Sequence, residues 1–154
     1  MRQIFYLVIL LLLCSCSPSA NNPQINIKLQ KADNSLLKEI RAEIVYTRTG
    51  RNYGMMYRKQ MDENAAMLFL FSNMEPRSFW MKNTYLPLDI VFVDEGKKIV
   101  SIAKNTQPLS VQNIPSGKPA KYVLELLGGF CDRHGLKEGD QLVFEIPGNI
   151  IIEN

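Results

Sequence analysis

Histidine, tryptophan and cysteine are nearly missing from this chain of 154 residues, which has one, one and three of them. A structural zinc site wants four nitrogen or sulfur ligands. Cys14 and Cys16 sit at the end of an apolar leader, so only Cys131 and His134 remain for such a site, and no metal is expected. The same count excludes a fold stapled by disulfides. Charge of one sign is also lacking. The net charge of +3 is small and evenly spread, which argues against a nucleic-acid partner. There is no glycine-rich phosphate loop, no internal repeat and no low-complexity tract, and Gly128-Gly129 stands alone as a strand-end turn. No cofactor is expected. The longest apolar run, Ile4–Leu13, has ten residues. That is about half of what a membrane-spanning helix needs.

That run is nevertheless informative. Arg2 precedes it as the positive end of an export signal, and Leu13-Cys14-Ser15-Cys16 follows it. The last four residues resemble the lipobox of bacterial lipoproteins. The resemblance implies a diacylglycerol thioether on Cys16, cleavage before it, and added acyl chains. Two or more chains anchor a protein stably, since each buried CH₂ contributes about 0.8 kcal/mol. Residues 1–15 are therefore read as a signal peptide and residues 16–24 as a lipidated cysteine with a flexible tether, Ser17–Pro23 being small and polar. Residues 25–154 are read as one β-rich domain. The expected address is the bacterial cell envelope, outside the cytoplasm and on either membrane.

The domain alternates short strand-like runs with turns. Ile25–Leu29 alternates apolar and polar residues, and Leu37–Tyr46, Met67–Phe71, Ser78–Thr84, Leu88–Val93, Ile99–Ala103, Tyr122–Leu127 and Gln141–Ile146 continue the series. Thr47 or Thr49 can cap a short helix over Gly50–Arg58, and Phe130–His134 reads as one helical turn. Gln107–Pro119 holds three prolines and reads as a long connection. In Lys137-Glu138-Gly139-Asp140 the glycine permits a positive φ, and the aspartate can accept backbone N–H groups. This pattern predicts a mainly β fold, a small barrel or sandwich with one or two short helices.

Phe79-Trp80-Met81-Lys82-Asn83-Thr84 followed by Pro87–Asp94 resembles the signature of the bacterial and archaeal family called domain of unknown function 192. Arg51, Gly54, Met56, Arg58, Met67-Leu68-Phe69, Tyr122–Glu125 and the Gly135, Leu136, Gly139, Asp140 set fit it in the same order. Asn64-Ala65-Ala66 departs from it, standing where an acidic–glycine pair is more usual. The resemblance spans roughly Ile40–Ile146 and implies a compact, mostly β domain, often exported, with no established reaction, cofactor or partner.

Three functions compete. The preferred one is a non-catalytic binding or accessory module. Its site is Trp80, Lys82, Asn83, Thr84, Asp89 and Arg58, for a small anionic or glycan ligand. As a strand, Ser78–Thr84 would put Trp80, Lys82 and Thr84 on one face. Lys82 would hold an anionic group, Asn83 and Thr84 would hydrogen-bond it, Trp80 would form the wall, and Asp89 would orient Lys82. Arg58 and Arg77 can add positive charge. Structurally, Asp89 would instead accept turn amides and pair with Lys82. The second function is an envelope hydrolase using Asp89 with Glu125, or Cys131 with His134. The third is a structural protein-interaction module with an unknown partner, its apolar surface sought in Gln107–Pro119.

Overall fold

The computed structural model describes residues 22–154. The expected signal peptide, the acceptor Cys16 and the first part of the tether lie outside the described residues. Seven strands form a single sheet: β1 (Gln24–Gln30), β2 (Leu36–Val45), β3 (Ala65–Phe79), β4 (Leu88–Val93), β5 (Ile99–Ala103), β6 (Ile114–Leu127) and β7 (Gln141–Val143). Two short helices accompany them among the described residues, α1 (Arg48–Tyr53) and α2 (Phe130–His134). The expected mainly β class is the observed one.

The sheet order is β5-β4-β6-β3-β2-β1-β7. Only β2 and β3 pair in parallel. The sheet curls into a half-barrel. Its two edges meet through a Lys98–Gln141 bridge, with the Ile99 N–H on the Asp140 carbonyl at 2.8 Å and the Leu142 N–H on the Lys97 carbonyl at 2.9 Å. The expected Gly-Asp turn makes this closure. Gly139 takes φ +91°. The buried Asp140 carboxylate accepts the Lys137 N–H at 2.9 Å and the Ala32 N–H at 3.2 Å, which ties the turn to the β1–β2 hairpin.

Both faces of the central strands are covered, so β4 is buried at every residue. Strand residues alternate between the faces. One face, with Ile27, Ile44, Leu68, Val91, Leu124, Leu126 and Leu142, draws on all seven strands and takes in Phe130 and Cys131 of α2. The other face carries Val45, Met67, Phe69, Ile90, Phe92 and Val123, packed under Met55 and Met81. Burying a side chain of this size contributes roughly 1.5–3 kcal/mol.

Four expected boundaries are corrected. Ser78–Thr84 is not a separate strand. β3 runs unbroken to Phe79, and the chain turns away at Trp80. Asn83 sits at φ +55°, a conformation asparagine tolerates, and the Thr84 N–H closes the turn on the Met81 carbonyl at 3.0 Å. Gln107–Pro119 is a connection only as far as Asn113, because β6 begins at Ile114. The last strand stops at Val143. α1 is also shorter than expected. Thr47 is its cap, accepting the Gly50 N–H at 3.1 Å, and Gly54 ends it at φ +49°.

The early start of β6 was hidden by its prolines. Pro115 stands opposite Ser78, and Pro119 opposite Pro76. A proline has no N–H for the ladder, and the β3–β6 register shifts on both sides of Pro76. Ser116 fills the gap. Its buried hydroxyl accepts the Arg77 N–H at 2.9 Å and donates to the Lys118 carbonyl at 2.6 Å. Ser116→Ala leaves both backbone groups without that partner, so we expect a loss of about 1–3 kcal/mol. Urea unfolding checks this. A lowered midpoint at unchanged slope is the expected result, and an unchanged midpoint sinks the account.

Candidate functional site

The two carboxylates weighed for acid–base chemistry occupy neighbouring strands. Asp89 stands opposite Leu126, and Glu125 opposite Ile90. Alternation therefore puts Asp89 on the face of Leu126 and α2, and Glu125 on the face of Ile90 and Val123. The structure separates them by the thickness of the sheet, so they do not form a shared acid–base pair.

Their surroundings differ as much as their positions. Asp89 is fully buried and fully engaged. Its Oδ1 accepts the Asn105 N–H at 2.7 Å and the Gly129 N–H at 3.0 Å. Its Oδ2 accepts the Cys131 N–H at 2.7 Å. The carboxylate thus fixes the start of α2 and the turn after β5. Lys82 is not its partner. That side chain is exposed, with Nζ 5.2 Å from the centre of the Trp80 ring.

Glu125 is 4 % exposed, and its Oε2 is buried with no hydrogen-bond partner among the described residues. Burial pushes its carboxyl up to about 8, against an opposing pull from the Arg58 guanidinium. Arg58 does not reach it as a partner, because it is forked on Glu43 at 2.5 and 2.7 Å.

A cleft of about 350 Å³ opens over Glu125. Residues of α1 and Gly54 form one wall and Phe69, Phe71 and Phe79 of β3 another; the buried Thr84 lines it too, and the exposed Trp80 and Asn113 stand at the mouth. Gly54 is required there twice over. Its backbone has φ +49°, and a Cβ would lie 3.3 Å from the Phe69 ring and 3.8 Å from Glu125 Oε2. The arginines of the wall are engaged. Arg51 donates to the Tyr46, Leu70 and Glu153 carbonyls at 2.8, 3.2 and 2.7 Å. Arg48 donates to the Asn154 carbonyl at 2.7 and 3.0 Å.

Of the expected ligand-binding set, Trp80 and Thr84 line the cleft. Asn83 lies beside it, its amide donating to the Tyr57 hydroxyl at 2.8 Å. Lys82, Asp89 and Arg58 do not line it. Arg77 is held over the Phe71 ring at 3.9 Å and donates to the Ala120 carbonyl at 3.0 Å. Sequence reasoning missed Arg51, Tyr53, Gly54 and Asn113 as cleft residues and weighed Glu125 as an acid–base partner of Asp89 or a structural, ion-paired carboxylate, not as a group lining a cleft. The available signal was the single charge inside Tyr122–Leu127, a run whose neighbours on both sides are apolar.

Cys131 and His134 do not form a nucleophilic pair. The thiol is fully buried, and burial followed by the Asp89 charge pushes its pKa upward, away from the thiolate. The His134 ring packs on Phe130 with centroids 4.3 Å apart, and Nε2 lies 3.2 Å from Glu63. No group of three His, Cys, Asp or Glu able to hold a metal ion occurs among the described residues.

The fold has relatives. The family model DUF192, described as an uncharacterized ACR, matches residues 28–144. A solved structure from Sinorhizobium meliloti 1021, named for a proposed role as a transcription regulator, is 36% identical with a TM-score of 0.76. The match covers 80% of this chain and 95% of that one. A protein of unknown function from Novosphingobium aromaticivorans DSM 12444 is 28% identical with a TM-score of 0.75, over 82% of this chain and 89% of its own. No curated protein matches the chain.

Glu125 makes stability depend on pH in a definite sense. Its folded pKa is about 8 and its ordinary value 4.5. The folded state therefore keeps a proton that the unfolded chain gives up, and stability falls as pH rises through that window. At about 1.4 kcal/mol per unit, the loss is on the order of a few kcal/mol. Denaturant unfolding from pH 4 to 9 should show this fall, and Glu125→Gln should flatten it. A wild-type curve that rises across the window contradicts the assignment.

Proposed function

The chain belongs to the DUF192 family, and we propose that it is a lipid-anchored, non-catalytic binding module of the bacterial cell envelope. One observation carries the binding reading. A carboxyl buried without a partner costs about 1–3 kcal/mol or more, and this one faces a cleft with an exposed aromatic rim. Such an arrangement is offset when a ligand supplies the missing hydrogen bond. The cleft has no second acid, and Cys131 is buried away from it, so neither the Asp89–Glu125 pair nor the Cys131–His134 pair is assembled there. The regulator role named for the S. meliloti protein is not carried over. With Arg2 in the leader, 17 of the 18 Lys and Arg face 15 Asp and Glu in the remainder, which is no basic footprint.

The anchor reading rests on Arg2, the Ile4–Leu13 run and Cys16. Cys16 then bears the acyl chains, and the domain lies outside the cytoplasm on a membrane. An interaction-module reading is favoured by one local feature. Leu109 and Val111 of the connection are 56% and 69% exposed.

Two experiments test these readings. Expressed in a bacterial host, the full chain should partition with membranes, and Cys16→Ser should move it out of the acylated fraction, as mass spectrometry of the N-terminal peptide reports. An unmodified Cys16 overturns the anchor. For the site, NMR of the full chain in detergent micelles with a general fragment library should shift the Gly54 amide and the Trp80 indole. Fragment binding confined to other surfaces overturns the cleft as the site.

A further inference from the structure

The cleft over Glu125 carries more information than its presence, because the groups around it discriminate between ligand charges. Resting on the binding reading above, we infer that the cleft takes an uncharged, polyhydroxylated ligand, a neutral oligosaccharide, with Glu125 hydrogen-bonding it from the floor and Trp80 stacking on it at the mouth.

An anion is disfavoured. The arginines near the floor are held inside the protein, Arg58 by its fork on Glu43 and Arg51 by donating to three carbonyls. Lys82 points back over the Trp80 ring. The floor itself is an acid. A cation is disfavoured too. Arg48 and Arg51 stand in the wall, and no second carboxylate lines the cleft. A cation would also need Glu125 ionised, against the burial that keeps its proton on.

A neutral ligand meets neither obstacle. The protonated carboxyl is both a donor and an acceptor, which matches a hydroxyl. The lining mixes aromatic walls with short amide and hydroxyl side chains, Asn52, Thr84 and the Ser78–Asn113 pair, whose hydroxyl and amide are already joined by a hydrogen bond and leave the Asn113 amide N–H and the Ser78 oxygen lone pairs for a ligand. Aromatic faces suit the apolar face of a sugar ring, and amide and hydroxyl groups suit its edge.

The aromatic surface does not stop at the mouth. Tyr53, which lines the cleft, lies 5.8 Å from Tyr57, and Tyr57 lies 6.4 Å from Tyr85, centroid to centroid. All three are about half exposed, as is Trp80. Tyr57 holds φ +64°, an unusual conformation for a bulky residue, and its N–H is fixed on the Asn83 carbonyl at 2.8 Å. A row of exposed rings that starts at the cleft suits a ligand longer than one sugar ring.

Trp80 is the only tryptophan of the chain, so its fluorescence reports the site alone. The full chain in detergent micelles is titrated with chitotetraose, maltotetraose and cellotetraose. Tetragalacturonate serves as the anionic control, glucosamine tetramer as the cationic control, and tetra-alanine amide as the peptide control. The expected result is a fluorescence change with at least one neutral tetrasaccharide and binding at least tenfold weaker for its monosaccharide. Trp80→Ala, at an exposed position that leaves folding intact, should weaken binding by tenfold or more in calorimetry. Glu125→Gln, which keeps a donor and an acceptor, should bind, whereas Glu125→Leu should not. Binding only of a charged tetramer or of the peptide overturns the ligand class. So does neutral-sugar binding that Trp80→Ala leaves unchanged. If fragments shift Gly54 while all three neutral tetrasaccharides are silent, the inference fails and the binding reading stands. If fragments too leave Gly54 unmoved, both fail.

Discussion

A sheet covered on both faces leaves no residue of its central strands a free choice of side. β6 lies between β3 and β4, and its residues must alternate. This constraint sends Leu124 and Leu126 into the core shared by all seven strands and delivers Glu125 to the opposite face, under α1. The same alternation in β4 sends Asp89 to the α2 side. Two carboxylates on paired strands therefore end in different compartments, and chemistry that needs both is not available to the fold.

What each compartment does with its carboxylate follows from the backbone nearby. Beside Asp89 the chain presents three amides with no other partner, those of Asn105, Gly129 and Cys131. Charge-assisted hydrogen bonds of this kind are about twice as strong as neutral ones, so the burial of Asp89 is compensated and the helix start is fixed. Beside Glu125 the chain presents rings, methionines and a glycine. Among the described residues no hydrogen bond compensates its Oε2. The contrast between a satisfied acid and an unsatisfied one separates the structural carboxylate from the candidate functional one. Neither residue type nor spacing carries that distinction.

The strands were legible in the sequence wherever their pattern was local. The alternation of Ile25–Leu29, the apolar block Met67–Phe71 and the Gly139-Asp140 turn each survive in the structure because tertiary packing agrees with them. Failures came where a long-range partner overrides local signals. Prolines at 115 and 119 read as a loop, yet Ser116 supplies hydrogen bonds that let β6 continue past them. Ser78–Thr84 read as a strand by composition, yet only Ser78 and Phe79 lie in β3, and the Asn83 turn lifts the rest off the sheet. The site was partly legible for the same reason. Trp80 and Thr84 reach the cleft, but by turning away from the sheet and not by sharing a strand face.

Lys82 and Asp89 show why proximity in sequence is a weak guide to a site. Both flank the same short turn, and opposite charges there invite an ion pair. In the structure three amides already saturate the acid, and a lysine head brought to it would have to be desolvated for little added attraction. The lysine remains in solvent over an indole ring, where the cation–π contact contributes about 0.5–1 kcal/mol at an exposed site. One face of Trp80 is thereby held by charge while the indole still borders the cleft. Positive charge is thus parked at the mouth and engaged in the walls, and the one acid at the floor keeps its proton. A floor acid that keeps its proton and aromatic sides then select ligands by shape and hydroxyl pattern more than by an ion pair at the floor.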